Sequence, residues 1–198
     1  MNAADSERLH RAFIALGARE GEADSLADTL LDWRDRDDEA RQHGAEVSWY
    51  RERKQLAPRN APIGDVAELR RIRGFAELTG MDSVFGVEPG RVPLGRAPLA
   101  VLASLPGFGD EAVARLAERR LRGEQPGDLL AFAASLSREA RSTLLERYPE
   151  LVALVTTEPD AWIVTSRASE GPRHVAAAIE VRLVRAGTRA AIVRRRTW

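Results

Sequence analysis

The sequence predicts an α+β protein whose helices fill most of the chain and whose small antiparallel sheet lies at its end. The first observation is that apolar residues recur three and four positions apart up to about residue 155. The second is that this period changes to two from about Ala161, over runs that a turn at Ala186-Gly187 separates. Short runs of this kind are typical of an antiparallel meander. We therefore predict a helical domain over residues 1–155 and a C-terminal β part over residues 156–198.

The helical domain is predicted to consist of amphipathic segments that Gly and Pro residues separate. Asp65 is a capping residue in front of a short segment, and Ser25 with Asp28 three positions later is predicted to cap the second helix. The stretches 55–62 and 80–98 are predicted to be irregular because Pro and Gly interrupt them. The other predicted helices span about residues 4–16, 66–72, 99–105, 110–121 and 138–147.

The β part is predicted to hold three strands, at about residues 161–167, 177–184 and 189–194. A sheet of three strands needs a hydrophobic face packed against something larger to be stable. A helix that is absent from this chain would serve as that partner. The run Arg194-Arg195-Arg196 is predicted to be a charged edge that blocks strand-to-strand aggregation.

Composition narrows the classes of function. The 198 residues include 30 basic and 30 acidic side chains, so the net charge gives no long-range attraction to nucleic acid or anionic lipid. The chain has no Cys, which excludes disulfides, thiolate metal sites and cysteine nucleophiles. No apolar run approaches the roughly 20 residues that span a bilayer, and the start has no signal-peptide pattern. We expect a soluble chain, with any targeting segment of an exported protein lying outside it.

An acidic loop is the strongest candidate for a binding site. Asp35, Asp37 and Asp38 supply hard oxygen ligands within a few residues, and Glu46 is placed to close the site as a bidentate carboxylate. Ca²⁺ takes six to eight such oxygens in flexible geometry, although the spacing here is not that of an EF-hand. The alternative is a solvated acidic loop, or carboxylates that are paired with the arginines nearby. Those arginines are Arg34, Arg36 and Arg41.

The segment around Gly107 predicts a helix-hairpin-helix, so the helical domain is expected to contain SAM-like units of this type. Gly107 and Gly109 allow a tight turn, and the helix that follows offers free backbone N–H groups to a DNA phosphate. Asp110 and Glu111 stand at this helix N-terminus, where their charge repels phosphate. A packing unit is therefore favoured. A helix-hairpin-helix nucleic-acid-binding protein is the alternative function, but no nucleic acid is expected as a partner.

No arrangement of residues predicts catalysis. The histidines His10, His43 and His174 lie in three separate segments, and the motifs of serine hydrolases, P-loop enzymes and zinc proteases are missing. A pair of carboxylates acting as general acid and base carries little weight, because so many acids share one loop. We therefore predict that the chain is not an enzyme.

Several blocks of the sequence together resemble the K-type minor pseudopilins of type II secretion systems, the general secretion pathway protein K family. The similarity covers nearly the whole chain, and the acidic loop with its spacing is the most specific part. The blocks are Leu30–Asp38, Gly44–Glu46 with Tyr50, Arg59–Pro62, Val66–Arg70, Ile72–Phe75 and Leu102–Gly107.

The resemblance implies a helical domain inserted into a pilin-like β domain, behind an apolar N-terminal helix held in the inner membrane. This chain lacks that helix, so it is expected to be the soluble part on the periplasmic side. The implied role is structural: the K subunit caps the pseudopilus tip in a complex with the minor pseudopilins I and J and supports protein export. The resemblance is also compatible with Ca²⁺ at the acidic loop.

Overall fold

The chain folds into two compact units, Met1–Thr157 and Glu158–Trp198. The structure is a computed structural model that describes residues 1–170 and 174–197. The first unit is mainly helical, and the second is a three-stranded antiparallel sheet. These elements confirm the predicted combination of helices with a small antiparallel sheet.

The helical unit is built from short helices joined by loops. One segment, Val66–Arg71, is a 3₁₀ helix, and two short strands, β1 (Val92–Pro93) and β2 (Val155–Thr156), pair in parallel. The α-helices are α1 Ser6–Ala15, α2 Glu20–Arg34, α3 Val47–Glu52, α4 Met81–Val84, α5 Leu99–Ala103, α6 Asp110–Leu121, α7 Leu129–Ala134, α8 Arg138–Glu146 and α9 Tyr148–Leu154.

The start of α2 differs from the prediction. The helix begins at Glu20, so Ser25 lies inside it and is not a cap. Glu20 and Glu22 occupy the first turn, where a negative charge favours the positive end of the helix dipole. The Ser25 hydroxyl instead donates to the carbonyl of His43, 3.2 Å away. The cap predicted at Asp65 is confirmed, because its side chain accepts a hydrogen bond from the amide of Ala67.

Two hydrophobic clusters lie inside the helical unit. The first cluster is formed by α1 to α4 and the 3₁₀ helix, and the second by α5 to α9 with β1 and β2. In the first, Phe13 packs edge-on against Phe75 with ring centroids 5.3 Å apart. In the second, Phe108 stacks on Phe132 at 5.8 Å. The guanidinium of Arg11 on α1 donates to the carbonyl of Leu105, which links the two clusters.

Some elements of the helical unit were not predicted. The stretch predicted to be irregular, residues 80–98, contains α4 and β1, and the helices α3, α7 and α9 are additional. Pro149 lies in the first turn of α9, a position that tolerates proline because its missing N–H has no partner in the helix. β1 forms because Val92 pairs with Val155, which local sequence patterns do not reveal.

The second unit is a meander in the order β3 (Ala161–Glu170), β4 (His174–Ala186) and β5 (Arg189–Thr197). The predicted turn at Ala186-Gly187 connects β4 to β5. Trp162, Leu183 and Ile192 lie opposite one another across the three strands and form an apolar stripe. Trp162 is 38% exposed and Ile192 is 65% exposed, so solvent reaches this stripe in the chain as it stands. In the part of the chain that the structure describes, no helix has the length and apolar character needed to cross a membrane.

Candidate metal centre

The acidic loop connects α2 to α3 and folds back along α2. The backbone amide of Arg41 donates to the carboxylate of Asp32 at 3.2 Å, and the amide of His43 donates to Asp28 at 3.1 Å. Gly44 then lies directly against Asp32, because a Cβ atom at position 44 would be 1.8 Å from Oδ2 of that residue. Only glycine therefore allows the loop to pass this close to the helix.

Three of the four carboxylates predicted as ligands converge. Asp35, Asp37 and Glu46 each have a carboxylate oxygen within 4.8 Å of the others, a spacing at which one cation could contact all three. Asp38 accepts a hydrogen bond from Nδ2 of Asn60 at 2.8 Å. The structure thus places Asp38 beside the group, in contact with Asn60.

Glu46 is the most unusual member of the group. Its side chain is only 2% exposed, yet neither carboxylate oxygen has a hydrogen-bond partner of good geometry. The Oδ1 atom of Asp35 is buried and unpartnered in the same way. Buried carboxylates are costly unless a cation or a hydrogen-bond donor compensates them. These oxygens therefore fit a hard cation such as Ca²⁺, which takes carboxylate oxygens as ligands.

The electrostatics of Glu46 agree with this geometry. Burial raises the pKa of Glu46 to about 7, and the negative charges of Asp32, Asp35 and Asp38 also raise it, while the amide of Val47 opposes the shift. Such a pKa indicates that this site disfavours the ionised carboxylate, first because it is buried and then because negative charges lie near it. A bound cation would relieve it.

Asp32 and Arg41 form an ion pair next to the three converging carboxylates. Asp32 is fully buried, and its Oδ1 lies 2.6 Å from Nη1 of Arg41. The same Nη1 lies 2.5 Å from Oδ2 of Asp35. Burial raises the pKa of Asp32, and its hydrogen bonds from Arg41 oppose that shift. Arg41 is one of the arginines expected to pair with the loop, whereas Asp32 is not among the predicted site residues. The signal that could have found it is a charged residue between Leu31 and Trp33 on an otherwise apolar face.

Asn60 also lies at this site, although no sequence pattern indicated it. Its Nδ2 donates to the carbonyl of Asp37 at 2.8 Å as well as to Asp38, while its own Oδ1 is buried without a partner. Its φ of 50° is a left-handed conformation that Asn tolerates better than most residues. Asn60 therefore ties the irregular segment after α3 to the acidic loop.

Aromatic residues of α3 fix the far end of the loop. Tyr50 is fully buried, stands edge-on to Trp33 at 5.2 Å, and accepts a hydrogen bond from the amide of Arg73 at 3.0 Å. The guanidinium of Arg73 also donates to the carbonyl of Gly44 at 2.9 Å. Burial raises the pKa of Tyr50 to about 12, so this phenol keeps its proton at ordinary pH. These contacts hold the end of the loop against the first hydrophobic cluster.

The predicted helix-hairpin-helix turn is covered by another helix. A Cβ atom at Gly107 would lie 2.9 Å from the carbonyl oxygen of Thr143 and 3.0 Å from Cα of Leu144 on α8. Glu111 at the start of α6 accepts hydrogen bonds from both the amide and the hydroxyl of Ser137, at 2.7 and 2.6 Å. The turn and the helix start that a DNA phosphate would need are therefore occupied by contacts within the protein, which disfavours the nucleic-acid alternative.

Two histidines lie close to carboxylates of α2. The two ring nitrogens of His10 lie 2.9 Å from Glu20 and 2.7 Å from Asp24, and Nδ1 of His43 lies 3.4 Å from Asp28. The side chain of His174 lies outside the described residues. The two described histidines thus fasten α1 and the acidic loop to α2, and neither contacts a nucleophile.

The first comparison with known proteins concerns the half of the helical unit that contains this loop. Residues 1–79 match the model of the family described as type II secretion system (T2SS), protein K. Over these residues the chain is similar in sequence to the protein K family. The match confirms the predicted resemblance, and it includes every residue of the candidate metal centre. The K family is a structural component of the secretion system.

The second comparison concerns the fold. A chain in the crystal structure of the GspK-GspI-GspJ complex from the type 2 secretion system of enterotoxigenic Escherichia coli is similar to this one, with a TM-score of 0.68. The similarity covers 98% of this chain and 69% of that chain, at 16% sequence identity. At this identity the likeness shows a shared fold, which extends over both units. No curated protein matches the sequence.

Proposed function

We propose that this chain is the periplasmic part of a K-type minor pseudopilin, a structural protein that supports export by a type II secretion system. The observation that carries the proposal is the K-family match over residues 1–79, which contains the whole acidic loop. The fold shared with a chain of the GspK-GspI-GspJ complex supports it over the rest of the sequence. Residues 1–155 are then the inserted helical domain, and residues 156–198 are the C-terminal strands of the pilin-like domain.

The proposed partners are the I and J minor pseudopilins of the same secretion system. In this role the K subunit sits at the pseudopilus tip, where the bulk of its helical domain leaves no room for another subunit above it. The exposed stripe of Trp162, Leu183 and Ile192 supports a further expectation. Such a stripe needs an apolar cover, and an N-terminal helix anchored in the inner membrane would supply it.

The partnership is tested by purifying the full-length protein together with its own I and J subunits. A stable complex with one copy of each, measured by size-exclusion chromatography with light scattering, is the expected result. A full-length protein that binds neither subunit would contradict the proposed role.

Tip capping has a separate test. In the full-length protein, residues 1–155 are replaced by a short Gly-Ser linker, and binding of the major pseudopilin to the three-subunit complex is measured. We expect the complex with the intact K subunit to add no subunit above it and the trimmed one to accept further subunits. Equal addition to both complexes would show that the helical domain does not cap.

We also propose that Asp35, Asp37, Asp38 and Glu46 form a Ca²⁺ site. Asp35, Asp37 and Glu46 converge, and Asp38 positions Asn60 next to them. A divalent cation there would neutralise buried carboxylates and tie the loop after α2 to the start of α3. The proposed role of the ion is therefore structural. Titration calorimetry and melting curves with millimolar Ca²⁺ test it, and no heat together with an unchanged Tm would remove the site.

A further inference from the structure

Arg41 lies between two carboxylates, that of Asp35 in the acidic loop and that of Asp32 on α2. Its Nη1 atom is 2.6 Å from Oδ1 of Asp32 and 2.5 Å from Oδ2 of Asp35. Asp32 is completely buried, while Arg41 is partly exposed. The guanidinium thus enters the group from the solvent side and neutralises charge that the protein interior would otherwise have to hold.

The charges around this point do not balance. Asp32, Asp35, Asp37, Asp38 and Glu46 carry five negative charges when they are ionised, and Arg41 is a cation in contact with two of them. Arg41 reaches Asp32 and one oxygen of Asp35, whereas both oxygens of Glu46 and the other oxygen of Asp35 stay without a partner. Arg41 therefore neutralises charge on Asp32 and Asp35, whereas no positive charge of the described residues is in contact with Glu46.

We propose that Arg41 is a built-in counter-cation that weakens the affinity of this loop for Ca²⁺ and keeps the loop folded when no ion is bound. This inference rests on the proposed Ca²⁺ site. A positive charge a few ångströms from a divalent ion lowers the affinity of the site, because like charges repel strongly where solvent is partly excluded. Ligand charge is also what tunes Ca²⁺ affinity between tight and weak protein sites. A site weakened in this way loads only where Ca²⁺ is abundant.

The test is to remove the positive charge and measure Ca²⁺ affinity by titration calorimetry together with the Tm in EGTA. Arg41→Gln is expected to tighten Ca²⁺ binding on the order of tenfold while lowering the Tm without the ion. Arg41→Lys keeps the positive charge and is the matched control, with an affinity closer to that of the starting protein than to that of Arg41→Gln. A residue that only orients Asp35 would give the reverse: its removal would weaken Ca²⁺ binding.

A second pair of variants covers the case in which Arg41→Gln fails to fold because Asp32 is left buried and unpaired. Asp32→Asn and Asp32→Asn/Arg41→Gln differ only in the charge at position 41, and the neutral amide that both carry at position 32 needs no counter-charge. We expect the double variant to bind Ca²⁺ about tenfold more tightly than the single one. Equal or weaker binding would overturn the role of Arg41 alone. A starting protein that binds no Ca²⁺ would overturn the proposed Ca²⁺ site itself, so the two failures are distinguishable.

Discussion

The first and second clusters of the helical unit bury different kinds of side chain. Among the residues that the structure describes, the buried polar or charged ones are Thr29, Asp32 and Glu46, and all three belong to the first half. The second cluster is apolar and is closed by a glycine in contact with the backbone of α8. Burying a charge costs free energy that apolar packing does not. The comparison therefore shows that, among the described residues, the fully buried charged side chains belong to the first cluster, which contains the candidate metal centre.

The contrast between the two clusters would be contradicted most directly if a substitution in the second cluster abolished Ca²⁺ binding. Phe132 is fully buried and stacks on Phe108, so Phe132→Ala is expected to cost about 3–5 kcal/mol of unfolding free energy. Ca²⁺ affinity of the folded fraction should not change. Urea denaturation and calorimetry measure the two quantities. Leu121→Ala, at a side chain that is 89% exposed, is the control and should change stability by less than about 0.5 kcal/mol.

A substitution at Gly107 is expected to cause the next largest loss of unfolding free energy. Gly107 has a φ of +72°, and an added Cβ would press on the backbone of Thr143 and Leu144. Gly107→Ala is therefore expected to destabilise the chain by about 2 kcal/mol or more, measured by urea denaturation. Gly21→Ala is the matched control, since Gly21 lies in α2 with open space around it. That change should stabilise the chain by roughly 0.5–1 kcal/mol. Equal effects at both positions would show that the turn is not held against α8.

The buried Glu46 is expected to make stability depend on pH, and this dependence would originate in the first cluster. Its pKa of about 7 in the folded chain exceeds the ordinary value of 4.5, so the folded state binds more protons between these two values. Without divalent cations the stabilising contribution of protonated Glu46 is complete below about pH 4.5 and is lost as the pH rises through about 7. We expect the Tm in EGTA to fall by a few degrees over that range, and Glu46→Gln to abolish the dependence.

The control for this pH series is Glu139, an exposed glutamate on α8. Glu139→Gln should leave the slope of Tm against pH unchanged. If the slope of Tm against pH is unchanged in Glu46→Gln, then another group in the chain causes the pH dependence.

Sequence patterns predicted the features that depend on neighbours along the chain. The helical period, the turn at Gly187 and the clustering of Asp35 with Asp37 are all local, and the structure contains each of them. The patterns missed what depends on distant partners. β1 exists because Val155 lies beside Val92, and Asn60 reaches the acidic loop from more than twenty residues away. Hydrogen-bond partners at that separation leave no periodic trace in a single sequence.

Asp32 shows a second reason for a miss. It lies in the last turns of α2 among apolar neighbours, so the helical pattern marks it only as an interruption of the buried face. Its role becomes visible when Gly44 and Arg41 are brought against it by the loop. The role of a buried charge such as Asp32 is recognised from the groups that neutralise it. These groups lie in the loop after α2 and not in the helix itself.

The parallel pairing of Val92 with Val155 has a consequence for how this protein can change over time. The chain leaves for the second cluster at Pro93 and comes back at Val155, next to its point of departure and running in the same direction. Residues 94–154 thus form a cassette whose two ends are joined by backbone hydrogen bonds. Because parallel neighbours need a crossover of about a dozen residues, a much shorter insert of that kind could bridge them. The segment between β1 and β2 could then be lengthened or shortened while the pairing of these two strands is kept.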